Sequence, residues 1–178
     1  MKQIISDQIY EGHADYGMYA LKHNQIEFYE GRLNPEKLGN LKTLLDLQGN
    51  QSLCSISWNA DGRIKTRRMN QLSHHGAGGI GLIFAGTVDN LDEMKEFLLS
   101  RGLMAEPCTE ADVIARLISE NLKSGDYSIR DSVSTALSLV EGDYAVVVMA
   151  AKDPCYSVTA TRRNYAVVGE GLQKRNSA

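Results

Sequence analysis

The chain has 178 residues, of which 43% are hydrophobic and 23% are charged, and these proportions are typical of one globular domain over residues 1–178. Its net charge of −3 argues against a general nucleic-acid binder, because such proteins usually carry a strongly basic face. No apolar run approaches the ~20 residues that a membrane-spanning helix needs, and the first residues lack the apolar segment of a signal peptide. We therefore expect a cytoplasmic protein without membrane insertion.

Short apolar or alternating runs predict strands in the first half of the chain. These runs are residues 17–21, 25–29, 52–58 and 80–84. Asn24 lies where a turn between the first two strands is required. Further on, Asn34 and Pro35 have the residue types of an N-cap and a first helical position, and leucines at helical spacing predict a helix from about residue 35 to 47.

Three helices and three strands are predicted in the second half. Each helix is preceded by a capping side chain with an acid three residues later, namely Asn90 with Glu93, Thr109 with Asp112, and Ser128 with Asp131. Runs rich in β-branched residues follow at 144–150, 155–160 and 165–169. Their close succession favours antiparallel pairing, and helices with strands on both sides indicate an α+β layered domain.

The run Gly76–Gly81 satisfies the pattern G-x-G-x-x-G of dinucleotide-binding sites. Such a site needs a strand before the glycines and a helix directly after them, whereas here an apolar strand follows. We therefore interpret the run as a glycine-rich loop that leads into a strand, and we predict no cofactor in this chain.

Two polar clusters suggest ion binding. His74 and His75 are adjacent, so on an extended chain their rings would point to opposite faces, and no cysteine or carboxylate stands nearby at a recognised ligand spacing. We interpret them as solvated loop histidines and predict no metal site. The basic residues within 63–68 could grip phosphate, but a solvated strand face is the favoured interpretation.

The order of motifs from Ile80 onward is distinctive. A strand ending in Phe84-Ala85-Gly86 is followed by Asn90, a helix, Arg101-Gly102 and a helix start at Thr109–Val113. This order resembles the glutaminase domain of class II glutamine amidotransferases, and residues 10–17 and 55–62 are similar to that family more faintly. Residues 28–36 resemble the glutamate-synthase-type members. The resemblance implies an Ntn-hydrolase-like αββα four-layer sandwich with antiparallel sheets.

The family's reactive groups are replaced in this chain. Its nucleophile is an N-terminal cysteine whose own amine serves as the base, and position 2 here is Lys2. The asparagine that donates to the oxyanion falls on Ala85, and the arginine that would clamp the glutamine carboxylate falls on Ser57. The acid that would hold the glutamine α-amino group falls on Glu110, one methylene longer. The resemblance thus implies no catalytic residue and a degenerate glutamine pocket, formed by Ser57, Trp58, Gly86 and Glu110.

We therefore expect a non-catalytic subunit with a structural or regulatory role in a multi-subunit complex. The glutamate-synthase-like features imply protein partners from a related oxidoreductase, whose subunits would carry the flavin or iron–sulfur clusters. Two alternatives stay open. The old glutamine pocket could serve a small-molecule (amino acid) sensor, with Glu110 holding an amine. Alternatively, an amidohydrolase could use a relocated nucleophile, Cys54 or Cys108.

Overall fold

The computed structural model describes residues 13–33, 51–59, 71–75, 79–103, 108–123 and 127–163. Three predicted features lie outside the described residues, namely the helix at 35–47, the basic run at 63–68 and the strand at 165–169. In the described part of the chain, no helix is long and apolar enough to cross a membrane.

The described residues form strands in both halves of the chain and helices between them. The strands are β1 (His13–Lys22), β2 (Gln25–Leu33), β3 (Gln51–Asn59), β4 (Gln71–His75), β5 (Ile80–Val88), β6 (Gly142–Ala150) and β7 (Ser157–Arg162). The helices are α1 (Leu91–Ser100), α2 (Glu110–Lys123) and α3 (Ile129–Ser138). The predicted strands and helices in this part of the chain are present, and β4 was not predicted.

The strands form two antiparallel sheets. Sheet A has the order β2-β1-β3, and sheet B has the order β4-β5-β6-β7. The hairpin between β1 and β2 turns at His23 and Asn24, whose φ angles of 49° and 60° are those of a two-residue hairpin turn. The turn predicted at Asn24 is therefore confirmed.

One face of sheet B packs against the helices. Side chains alternate along a strand, so every second residue of β5 and of β6 points into this core. The strands contribute Ile80, Leu82, Phe84, Tyr144, Val146 and Val148, and α2 contributes Val113, Ile114, Leu117 and Ile118. Burial of this apolar surface holds the helices on the sheet.

The opposite face of sheet B packs against sheet A. Tyr19 of β1 is only 1% exposed, and a Cβ added at Gly81 of β5 would lie 2.9 Å from Tyr19 Cγ, so the glycine makes room for the ring. Burial raises the pKa of the Tyr19 phenol, and the negative charge of Asp112 raises it further. Leu21, Ile26, Met149 and Ala151 complete this second core. The described residues therefore build a helix layer on sheet B, and sheet B on sheet A.

Two of the three predicted helix caps are confirmed. The Thr109 backbone N–H donates to Asp112 Oδ2 at 2.9 Å, and Asp112 N–H donates back to Thr109 Oγ1 at 3.2 Å, which is a reciprocal capping arrangement. Ser128 Oγ accepts from Asp131 N–H at 3.1 Å. The prediction for Asn90 is wrong, because its side chain makes no capping hydrogen bond to α1. It forms hydrogen bonds with the backbone of Leu139 and Glu141 instead.

The interpretation of His74 and His75 as loop residues is also wrong, because both lie in β4 and pair with Gly81 and Ile80 of β5. The glycine-rich run leads into a strand, as predicted, because β5 begins at Ile80 within the run, and a strand therefore stands where a dinucleotide site needs a helix. Among the described residues, no group of three or more histidine, cysteine, aspartate or glutamate side chains could hold a metal ion.

Ser132 provides a test of the helix-side core. It is fully buried in α3, and its Oγ is the one buried side-chain polar atom without a hydrogen-bond partner among the described residues. A buried unsatisfied hydroxyl costs about 1–3 kcal/mol. We expect Ser132→Ala to raise the free energy of unfolding by about 1 kcal/mol in urea denaturation. Ser134→Ala, at an exposed position of the same helix, should change it by less than about 0.5 kcal/mol. A loss of stability in Ser132→Ala would show that the hydroxyl is satisfied in solution.

Candidate functional site

The end of β5 is shaped by a close approach to β6. Gly86 has φ +136°, and a Cβ there would lie 2.1 Å from the carbonyl oxygen of Asp143 and 2.7 Å from Tyr144 Cα. Gly142 on the paired strand has φ +141°, and its Cβ would lie 2.1 Å from the carbonyl oxygen of Thr87. Only glycine fits at either position without moving the backbone.

Ala85 precedes Gly86 on the face of β5 that is turned toward sheet A. Phe84 enters the helix-side core, whereas Gly81 packs against Tyr19, and alternation along the strand places Ala85 on the same face as Gly81. Ala85 is half-buried, and its methyl group can neither donate nor accept a hydrogen bond.

Glu110 begins α2 and reaches the end of β5. Its Oε1 accepts a hydrogen bond from the backbone N–H of Val88 at 3.3 Å, two residues from Gly86. The side chain is half-buried, and an acid in the first turn also interacts favourably with the helix dipole. The carboxylate of Glu110 therefore lies at the end of β5, and its place with Gly86 in a glutamine pocket stays a prediction.

Ser57 and Trp58 lie near the end of β3, where they pair with Asp15 and Ala14 of β1. β3 contacts β5 across the two sheets. The backbone of the two residues is thus on a strand that adjoins the strand of Gly86. Their side chains lie outside the described residues, so their place in the pocket stays a prediction.

The side chain of Asn90 joins two turns of the chain and does not cap α1. Its Nδ2 donates to the carbonyl of Leu139 at 2.9 Å, and its Oδ1 accepts from the N–H of Glu141 at 2.9 Å. The N–H of Asp89 also donates to the carbonyl of Glu141 at 2.8 Å. These bonds join the turn after β5 to the turn before β6. The available signal was the position of Asn90 in the family's motif order.

Relatives among curated proteins are glutamine--fructose-6-phosphate aminotransferases [isomerizing]. The chain is 29% identical over 164 residues to that of Pyrococcus horikoshii, which covers 91% of this chain and 27% of that protein. The corresponding protein of Thermococcus kodakarensis is 26% identical over 166 residues, with the same coverage of 91% and 27%. That of Vibrio parahaemolyticus is 33% identical over 98 residues, which cover 55% of this chain and 16% of that protein. These comparisons confirm the resemblance to class II glutamine amidotransferases.

The chain spans about a quarter of the length of the Pyrococcus and Thermococcus relatives, because the matched residues cover 27% of each. It matches no protein-family model. The similarity therefore concerns a glutamine amidotransferase-like domain and leaves the greater part of each relative without a counterpart in these residues.

Solved structures agree on the fold. Glutamine phosphoribosylpyrophosphate amidotransferase from B. subtilis, complexed with ADP and GMP, has a TM-score of 0.56 and 19% identity, over 79% of this chain and 30% of that chain. A structure described as the allosteric regulatory enzyme of purine biosynthesis has a TM-score of 0.57 and 20% identity, with 79% and 30% covered. At these identities the likeness concerns the fold alone. It confirms the predicted α+β, Ntn-hydrolase-like class with antiparallel sheets.

Replacement of Gly86 by alanine tests the strand approach. We expect Gly86→Ala to lower the free energy of unfolding by at least about 2 kcal/mol, because the new Cβ meets backbone atoms that cannot rotate away. Gly102→Ala is the control, since Gly102 also has a positive φ, +65°, but open space around its Cα. It should cost about 1 kcal/mol. Equal losses in the two variants, measured by urea denaturation, would show that the clash does not matter.

Replacement of Asn90 tests the bonds between the two turns. Asn90→Ala removes the hydrogen bond to the carbonyl of Leu139 and the hydrogen bond from the N–H of Glu141. We expect this loss to lower the free energy of unfolding by about 1–3 kcal/mol. Ser100→Ala removes one exposed side-chain bond to Phe97 and should cost less than about 0.5 kcal/mol. Thermal or urea denaturation distinguishes the two. A neutral Asn90→Ala would mean that water replaces the amide without loss.

Proposed function

We propose that this glutamine amidotransferase-like domain lacks glutaminase activity and serves as a structural or regulatory subunit of a larger assembly. The observation that carries the proposal is Ala85, which precedes Gly86 where the family has its oxyanion donor. A methyl group supplies no hydrogen bond to a developing oxyanion. Loss of one such donor typically costs about 2.7–4 kcal/mol of transition-state stabilisation, or about a hundred- to a thousandfold in rate.

The position of Glu110 supports the same proposal. The family's acid holds the α-amino group of glutamine, whereas Glu110 Oε1 accepts from the backbone N–H of Val88. That bond gives the carboxylate a structural role at the junction of α2 and β5. Ser57, at the position of the family's arginine, offers a hydroxyl in place of the guanidinium fork that binds a carboxylate through two parallel bonds.

The features that the chain keeps belong to the framework around the old pocket. Gly86 and Gly142 allow the close approach of β5 and β6, and Asn90 ties together the turns beside them. A domain with this framework but without the reactive groups can still present a defined surface to a partner. We propose that the partners are protein subunits of a glutamate-synthase-type oxidoreductase, which would carry flavin or iron–sulfur clusters. The choice of these partners rests on the resemblance of residues 28–36 to glutamate-synthase-type members of the family.

Glutamine hydrolysis is the first test. We expect the full chain to release no ammonia from L-glutamine, while the glutamine--fructose-6-phosphate aminotransferase of Pyrococcus horikoshii serves as the active control. Incubation with 6-diazo-5-oxo-L-norleucine, which alkylates the nucleophile of glutaminases, should leave the intact mass unchanged. Ala85→Asn alone should not create activity, because the oxyanion donor is only one of the missing groups.

Two outcomes would contradict the absence of catalysis. Turnover of glutamine above the buffer rate is the first, and a covalent adduct is the second. An adduct on Cys54 or Cys108 would identify a relocated nucleophile, and serine at that position should then remove both adduct and turnover. Cys155, which is exposed in the turn before β7, is the matched control, and Cys155→Ser should change neither.

Native mass spectrometry of the protein purified from its source tests the subunit role. We expect an assembly that contains this chain together with other polypeptides, and its denatured spectrum identifies them. Flavin or iron–sulfur absorption in that assembly would support an oxidoreductase partner. A lone chain would contradict the subunit role. If such a lone chain gained thermal stability with millimolar L-glutamine or another amino acid, the sensor alternative would replace it.

A further inference from the structure

A groove of about 440 Å³ lies between α3 and β7, on the helix side of sheet B. Its volume is within the usual range of small-molecule sites, about 300–1,000 Å³. Apolar side chains form much of its lining, namely Val133, Leu137, Tyr144, Val158 and Ala160. The hydroxyl-bearing residues Ser134, Ser138 and Thr161 line it as well.

Two arginines give the groove its charge. Arg130 stands in the first turn of α3, Arg162 is the last residue of β7, and both are exposed. Within the described part of the chain, neither guanidinium forms an ion pair. Arg162 Nη1 donates to the carbonyl of Val140 at 2.7 Å, which fixes this side chain at the groove and leaves its other N–H groups for a ligand.

The groove is separate from the candidate glutamine pocket but shares a strand pair with it. Tyr144 lines the groove from the helix side, and its Cα lies where a side chain at Gly86 would collide. The Tyr144 hydroxyl also donates to the carbonyl of Leu137 in α3 at 3.4 Å. A ligand in the groove would therefore touch the residue that packs directly behind Gly86.

We propose that this groove binds a small amphipathic anion, with a carboxylate or phosphate at the arginines and an apolar body along the groove. The argument is charge complementarity together with shape. Two arginines without anionic partners favour binding of a negatively charged group. Burial of a hydrocarbon or aromatic portion against the apolar lining would add favourable free energy. An inorganic anion would leave the lining in water, and a neutral molecule would leave the arginines unused. The site is independent of the proposed loss of glutaminase activity.

Octanoate is the probe for this groove, and octanamide is its neutral counterpart. We expect octanoate to cause saturable shifts of backbone amides in α3 and β7 in an NMR titration of the full chain. Octanamide should bind about tenfold more weakly, a factor that corresponds to about 1.4 kcal/mol. The double variant Arg130→Gln with Arg162→Gln should weaken octanoate binding by a similar factor and leave octanamide unaffected. Glutamine at position 162 retains an N–H donor for Val140.

Two further variants define the location. Ser134→Trp places a large side chain in the groove from an exposed position of α3 and should abolish octanoate binding. Arg101→Gln removes an exposed arginine that stacks on Phe97 with its guanidinium 4.2 Å from the ring centre, away from the groove. It should leave octanoate binding unchanged. Loss of binding in Arg101→Gln would point to general charge attraction and overturn the proposal.

Other outcomes also overturn it. Equal affinity for octanoate and octanamide would show an apolar groove without anion recognition. Equal affinity for inorganic phosphate and octanoate would show a simple anion site. Saturable binding of a glutamate-rich peptide that depends on Arg130 and Arg162, with no response to octanoate, would assign the surface to a protein partner. Absence of any saturable shift would leave the groove without a small-molecule function.

Discussion

The close approach of β5 and β6 at Gly86 and Gly142 is the constraint on which the surrounding structure depends. At each glycine, main-chain atoms of the neighbouring strand occupy the space that a Cβ atom would need. Both glycines also have φ values that other residues rarely adopt. The approach fixes where β5 ends and where β6 begins, so the turns on either side meet. Asn90 can then bridge them with one donor and one acceptor.

Sheet B serves two cores at once, one that it forms with the helices and one that it forms with sheet A. Phe84 and Tyr144 pack toward the helices, whereas Ala85 faces the other sheet. A substitution at position 85 therefore changes the group that β5 presents to sheet A and does not enter the apolar packing on the helix side. Stability and chemistry are thus separable along a single strand, because successive side chains point to opposite layers.

Local signals in the sequence identified the elements better than they identified contacts. Thr109 and Ser128 have bonding partners three residues away, so their caps could be read from the chain. Asn90 is also a common N-cap residue with an acid three positions later, but its bonding partners lie about fifty residues further on. The strand β4 escaped notice because its pairing with β5, rather than its own composition, makes it a strand. The groove was equally hidden, since Arg130 and Arg162 come to line it only after folding. The places of the Ser57 and Trp58 side chains remain predictions.

The contact between Tyr19 and Gly81 has a mechanical consequence. The Tyr19 ring packs over Gly81, where β5 has no side chain, and this contact fixes the position of sheet A on sheet B. Sliding sheet A by one residue pair toward the end of β5 would carry the ring from Gly81 onto Ile83, at the cost of steric overlap in a close-packed interior. The two sheets therefore resist shear and should move as one body. Strands β1 and β5 should open together, and their amide hydrogens should exchange with solvent in one cooperative event.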